Sequence, residues 1–169
     1  MISDEDLMLR FQRGSREAFE ELFARYRDAF YGFFRRRLGN ASTAEDLTQE
    51  TFLAVLRGAS RYEQRALVRT YLYAIALKLL YAARRKRESA PLDEAAAYVS
   101  GLEEPLWVRQ ALARLENEER EILMLREYEQ LSYTEIADLL GIPVNTVRSR
   151  LFRSRMALKS YLEPEVRNA

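Results

Sequence analysis

The sequence predicts an all-α fold: two small helical domains, an N-terminal helical bundle and a C-terminal helix-turn-helix bundle, joined by a flexible linker. Three observations carry that prediction. Apolar residues recur at three- and four-residue steps through most of the 169 residues, the spacing of one helix face, and no run shows the period of two of a half-buried strand. Between Glu88 and Pro105 the periodicity stops, and Ser89, Pro91, Ser100, Gly101 and Pro105 punctuate the chain. The domains are therefore expected at 1–87 and 106–169, with 88–105 as linker and one short helical turn near Glu94 to Ala97.

From the N-terminus, Ser3 is placed to cap a first helix, with Asp4, Glu5 and Asp6 near the positive end of its dipole and Leu7, Met8 and Phe11 on its apolar side. Gly14-Ser15 breaks it. A second helix runs to about Arg37, with Phe19, Leu22, Phe23, Tyr26, Phe30, Phe33 and Phe34 forming a stripe that reads as core. Gly39-Asn40 closes it, and the next helix spans ASTAEDLTQETFLAVLRG. Ala44, Leu47, Thr51, Val55 and Leu56 are expected on or near its inner face, and Glu45, Asp46, Gln49 and Glu50 on the other, most simply a solvated surface.

Arg61 to Val68 reads as a polar loop around Tyr62. Thr70 to Ala83 reads as a fourth helix with Leu72, Ile75, Ala76, Leu79 and Leu80 inside and with Tyr71, Tyr73 and Tyr81 partly wet. Seven basic residues and no acidic one lie between Arg65 and Arg87. Cations beside aromatic rings are what single-stranded nucleic acid requires, because bases stack on rings while cations follow the phosphates.

After two short helices, Trp107 to Leu115 and Glu118 to Tyr128, comes LSYTEIADLLGIPVNTVRSRLFRSRMALKSYL. Ile136, Ala137, Leu139 and Leu140 form one side of a helix that Gly141 ends, and Pro143 sits where the next helix starts. Val144, Val147, Leu151, Leu158 and Leu162 make an apolar seam, leaving Asn145, Thr146, Arg148, Ser149, Phe152 and Arg153 outside. From Pro143 to Leu162 there are five basic side chains and no acidic one, the charge that lets a helix lie in a major groove with amide, hydroxyl and guanidinium groups near base edges.

Cysteine and histidine are both absent, which excludes disulfides, thiolate or imidazole zinc sites and nucleophile-imidazole catalysis. No cofactor or metal site is expected. The chain carries no leader-like or membrane-length apolar run, so a cytoplasmic location without membrane insertion is expected.

AEDLTQETFLAVL, then TYLYAIA, then a Pro- and Gly-containing linker, then ILMLREYEQLSYTEIADLLGIPVNTVRSRLFRSRMAL together resemble the extracytoplasmic-function sigma factors of bacterial RNA polymerase. The likeness runs from about Phe19 to Leu158. It implies a promoter-specificity subunit without catalytic chemistry of its own. It further implies that Asp46, Gln49, Glu50 and Phe52 meet the clamp helices of the polymerase largest subunit, with further contact at the flap region. Tyr62, Gln64, Arg65, Arg69, Tyr71, Tyr73 and Lys78 would bind the −10 element and its nontemplate single strand. Asn145, Thr146, Arg148, Ser149, Phe152 and Arg153 would read the −35 element in duplex DNA. An anti-sigma factor is an implied partner. The chain departs from the family at Tyr71, commonly Trp, at Gln64-Arg65-Ala66, usually smaller, and at Lys78, frequently Asn. From the residues alone, a stand-alone helix-turn-helix regulator stays open as the alternative. A carboxylate metal nuclease is disfavoured, because the acids mostly lie on amphipathic faces without converging.

Overall fold

The computed structural model describes residues 1–88 and 104–167. These form eight α-helices and one short 3-10 turn, with no strand among the described residues. Two compact units result, one of Met1–Phe34 with Ala41–Leu92 and the other of Arg35–Asn40 with Asp93–Ala169. The helical turn expected near Glu94 to Ala97 and nearly all of the expected linker lie outside the described residues.

The first unit is built from α1 (Asp4–Gln12), α2 (Arg16–Leu38) as far as Phe34, α3 (Ala41–Gly58), a 3-10 turn (Ala59–Arg61) and α4 (Val68–Glu88). Ser3 caps α1 as expected, its hydroxyl accepting from the Asp6 amide at 3.1 Å. The core is largely aromatic. Phe30 meets Tyr73 edge-on with ring centroids 4.9 Å apart, and Phe23 meets Phe52 edge-on at 4.8 Å, the geometry that sets a positive ring edge against a negative ring face. Thr48 and Thr51 also face inward. Each hydroxyl donates to its own helix four residues back, to the Ala44 and Leu47 carbonyls at 2.7 Å, so neither brings an unpaired donor into the core.

In the second unit, α5 (Leu106–Arg114), α6 (Asn117–Glu127) and α7 (Tyr133–Leu140) pack on α8 (Val144–Arg167). Leu112, Leu115, Ile122, Leu125, Leu131, Ile136, Val147 and Leu151 are all buried. Buried Arg120 directs Nη1 to the Leu115 carbonyl at 3.2 Å and also reaches those of Leu112 and Ala113, satisfying carbonyls that the end of α5 leaves without intrahelical partners. Arg37, which belongs to this unit, is also buried, with Nε 2.9 Å from Glu121 and Nη2 2.9 Å from Glu129. Burial opposes its charge, and the two carboxylates outweigh burial and hold the guanidinium above its ordinary pKa.

Three expectations about inner faces need correction. Tyr73 is buried among Phe30 and Phe33, not partly wet. Leu56, expected near the inner face of α3, is exposed. In α4 the buried stripe runs through Leu72, Tyr73, Ala76, Leu77 and Leu80, while Ile75 and Leu79 sit at its edge. An apolar stripe spans roughly 100° or more of a helix, and spacing alone leaves its flanks undecided.

Truncating Phe30 to Ala should destabilise the first unit by about 3–5 kcal/mol through the cavity it leaves. Exposed Leu53→Ala should stay within about 0.5 kcal/mol of the parent. Urea unfolding of the two variants compares these outcomes; equal midpoints would contradict this account of the core.

Candidate functional site

The tight turn between α7 and α8 fixes the C-terminal surface. Ser132 accepts from the Glu135 amide at 3.0 Å, and the Glu135 carboxylate accepts from the Ser132 amide at 3.1 Å, so each residue satisfies the other's orphan donor. Gly141 then turns the chain with φ 67°, a left-handed conformation that costs glycine little, and the Ile142 amide donates to the Ala137 carbonyl at 3.1 Å. Pro143 supplies the first carbonyl of α8, accepting from Thr146 at 3.0 Å and Val147 at 3.1 Å.

Val147, Leu151 and Ser154 form the fully buried seam of α8. Ser154 is the residue periodicity missed; its hydroxyl folds back onto the Arg150 carbonyl at 2.7 Å. Opposite the seam, Asn145, Arg148, Ser149, Phe152 and Arg153 are exposed, as expected, with Thr146 half-buried. Phe152 is 66% exposed and Met156 51%, an apolar strip within the polar face.

The five cations of this stretch divide by partner. Arg155 pairs with Glu127 at 2.9 Å, Arg150 approaches Glu118 at 3.8 Å, and Lys159 approaches Glu163 at 3.8 Å. The bonds to Glu127 and then Tyr133 hold Arg155 above its ordinary pKa. Among the described residues Arg148 donates to the neutral Asn145 side chain at 3.2 Å, and neither it nor Arg153 forms an ion pair there. Two uncompensated guanidinium groups therefore remain on the outward face.

In the first unit, α3 sets Ala44, Thr48, Thr51, Phe52 and Val55 inward and Asp46, Gln49 and Glu50 outward. Phe52, expected at the outer surface, is instead 4% exposed and packed among Phe19, Phe23 and Phe30. It supports the outer face from beneath. That face carries two apolar residues that sequence reasoning missed, Leu53 and Leu56, at 39% and 46% exposure. Their signal was Leu53 at three- and four-residue steps from Glu50 and Gln49, with Leu56 three residues further on, along an otherwise polar face.

The segment between the 3-10 turn and α4 carries Glu63, Gln64, Arg65, Ala66 and Leu67, all exposed. Its inner side is a tyrosine pair, with the rings of Tyr62 and Tyr71 5.0 Å apart and tilted by 55°. Tyr62 is nearly buried, and its hydroxyl donates to the Ala66 carbonyl. A side chain at position 58 would place its Cβ 3.2 Å from the Tyr71 hydroxyl, so Gly58 lets that ring lie against the end of α3. Arg69 and Tyr71 are half-buried and Lys78 is exposed on α4, whereas Tyr73 belongs to the core and takes no part in this surface. Burial raises both tyrosine pKa values, with Glu5 adding to the effect at Tyr62 and Arg61 opposing it at Tyr71.

Two helical units, one ending in a helix-turn-helix with a cationic outward face, have the build of a nucleic-acid-binding protein. Comparisons with known proteins define it further. Residues 22–90 match the family model for Sigma-70 region 2, and residues 106–158 that for Sigma-70, region 4. The chain is 33% identical to the RNA polymerase sigma-H factor of Pseudomonas aeruginosa, over 98% of this chain and 97% of that one. It is 31% identical to the ECF RNA polymerase sigma-E factor of Salmonella typhimurium, with the same coverage of 98% and 97%. It also matches the solved structure of CnrH in complex with the cytosolic domain of CnrY, with TM-score 0.77 and 25% identity over 95% of this chain and 97% of that one. The chain belongs to the extracytoplasmic-function sigma factors and is a promoter-specificity subunit of RNA polymerase. No helix among the described residues is long and apolar enough to cross a membrane.

The raised tyrosine pKa values have a sign that can be tested. A phenol whose pKa is raised on folding contributes fully below its unfolded value of about 10 and loses that contribution as pH rises toward the folded value. Urea unfolding should therefore show stability falling as pH increases past about 10, with the slope reduced in Tyr62→Phe. A Tyr62→Phe slope equal to the parent's would show that Tyr62 titrates normally.

Proposed function

We propose a division of labour within this promoter-specificity subunit. Residues 1–87 dock on core polymerase and capture the −10 element, residues 88–105 serve as linker, and residues 106–169 hold the −35 element. The observation that carries this reading is the sorting of cations on α8. Arg148 and Arg153, which have no acidic partner among the described residues, share the outward face with Asn145, Ser149 and Phe152, opposite the buried seam. A guanidinium already bound to a carboxylate must give up that partner to reach DNA, and these two need not. Arg148 and Arg153 are suited to base edges or phosphates, Asn145, Thr146 and Ser149 to polar edges, and Phe152 to a thymine methyl group.

On α3, Asp46, Gln49 and Glu50 share the outward face with exposed Leu53 and Leu56, which follow them along the helix. Apolar residues bordered by polar ones are the make-up of a protein-docking patch, and we assign this face to the polymerase clamp helices. Phe52 acts only by supporting it. Gln64, Arg65, Arg69, Tyr71 and Lys78, with Tyr62 shaping the loop, form the surface for nontemplate single strand. Tyr73 is withdrawn from that set.

Bond chemistry belongs to the polymerase, so the chain itself is no enzyme. Stacking and phosphate contacts offset the few kcal/mol that unstacking a base requires, without nucleotide hydrolysis. The flap region and an anti-sigma factor are further partners in this reading, and the structurally similar CnrH is itself solved in complex with a second protein, the cytosolic domain of CnrY. Its place of action is the cytoplasm.

Reconstituted transcription tests the division. Arg148→Ala and Arg153→Ala should each weaken −35 recognition by roughly 1–3 kcal/mol where the residue makes a bidentate base contact, with holoenzyme formation unchanged. Glu50→Lys should reduce holoenzyme formation instead. Unchanged −35 selectivity in both arginine variants would contradict the assignment of α8. Tight, specific promoter binding by the free chain without polymerase would favour a stand-alone regulator.

A further inference from the structure

Helix α1 lies ahead of the region 2 match, which begins at residue 22. Its polar side chains nevertheless reach the segment that follows α3. Gln12 Nε2 donates to the Ala59 carbonyl at 2.7 Å and to the Tyr62 carbonyl at 2.9 Å. Two turns earlier on the same helix, a Glu5 carboxylate oxygen accepts from the Val68 amide at 3.1 Å. Val68 opens α4, and its amide is one of the donors a helix start leaves without an intrahelical partner. The Glu5 charge also lies at the positive end of that helix. Both feet of the exposed 63–67 segment are thus fastened to one helix, through residues about 10 Å apart along its axis.

The helix that holds them is itself fixed. Leu7 and Met8 are buried in the core. Asp4 accepts from Arg25 Nη1 at 2.8 Å and from the Tyr26 hydroxyl. Between its feet the segment has little regular structure, and the Tyr62 hydroxyl bond to the Ala66 carbonyl is its internal brace. Its shape therefore depends on where α1 sets its ends.

We propose that Gln12 and Glu5 are positioning residues for capture of the −10 element, setting which base the 62–71 surface accepts without touching DNA themselves. This rests on the assignment of that surface to the −10 element made above. Gln12 acts through two carbonyls that only a donor side chain can hold. Glu5 acts through one amide that either a carboxylate or a carboxamide oxygen can hold. The chemistry therefore specifies different replacements at the two positions.

The test uses holoenzyme reconstituted from the full chain and core polymerase, on a promoter mapped with the parent chain and on variants of it changed singly in the −10 or −35 element. Gln12→Met keeps the length of the side chain and removes both donors. It should cut discrimination among −10 bases about tenfold, as expected when two hydrogen bonds of ordinary net strength no longer hold the loop. Discrimination at −35 and the yield of holoenzyme should stay at parental values. Glu5→Ala should behave in the same way, and Glu5→Gln should retain −10 discrimination.

Unaltered −10 discrimination in both Gln12→Met and Glu5→Ala overturns the proposal. So does parallel loss at −10 and −35, which would mark a general folding defect. Gln64→Ala and Arg65→Ala identify the level of failure. If these loop variants shift −10 discrimination and the α1 variants do not, only the positioning role falls. If neither set shifts it, the assignment of the loop to the −10 element falls as well.

Discussion

Burial of Val147, Leu151 and Ser154 in the second unit fixes the rotation of α8 about its axis, and the functional surface of that unit depends on this rotation. A helix turns 100° per residue. Turning α8 by one residue would carry Ser154 and the two aliphatic side chains out of the core and carry Arg148 or Phe152 into it. Burying an unpaired guanidinium costs several kcal/mol, so the outward face is specified as strongly as the inward one. The Gly141 turn and the Ser132–Glu135 capping box then set where α8 begins.

The same constraint governs α3. Phe52 and Val55 lock into the aromatic core while Thr48 and Thr51 satisfy their hydroxyls on their own helix, leaving Gln49, Glu50, Leu53 and Leu56 facing out. A net charge of only +1 for the whole chain conceals this division. Acidic and amide groups with two leucines occupy one face, and unpaired guanidinium groups occupy another. A promoter-specificity subunit needs both kinds of surface, because it must hold a protein and a polyanion at once.

Much of the fold was legible in the sequence because its punctuation is local. Ser3, Gly14-Ser15 and Gly141 act on backbone groups within a few residues of themselves, and each falls where the spacing expected a helix to start or stop. The outward set on α8 was legible for the same reason. The errors lie at the flanks of the apolar stripes. Tyr73, Phe52 and Leu56 are amphipathic or apolar residues whose side of the helix is decided by what packs against it.

Other features could not be read from spacing at all. Gln12 reaches carbonyls 47 and 50 residues away, and Glu5 an amide 63 residues away. The pairing of Arg155 with Glu127 crosses 28 residues. Local pattern carries no information about contacts at such separations, so the difference between an engaged and a free arginine on α8 emerges only from tertiary structure. The central claim is that two helical units give core polymerase its choice of start point. Mapping transcript 5′ ends from a genomic library, with core polymerase alone and with core plus this chain, tests it most directly. The account predicts a new set of discrete starts sharing two spaced sequence elements; identical starts with and without the chain would contradict it.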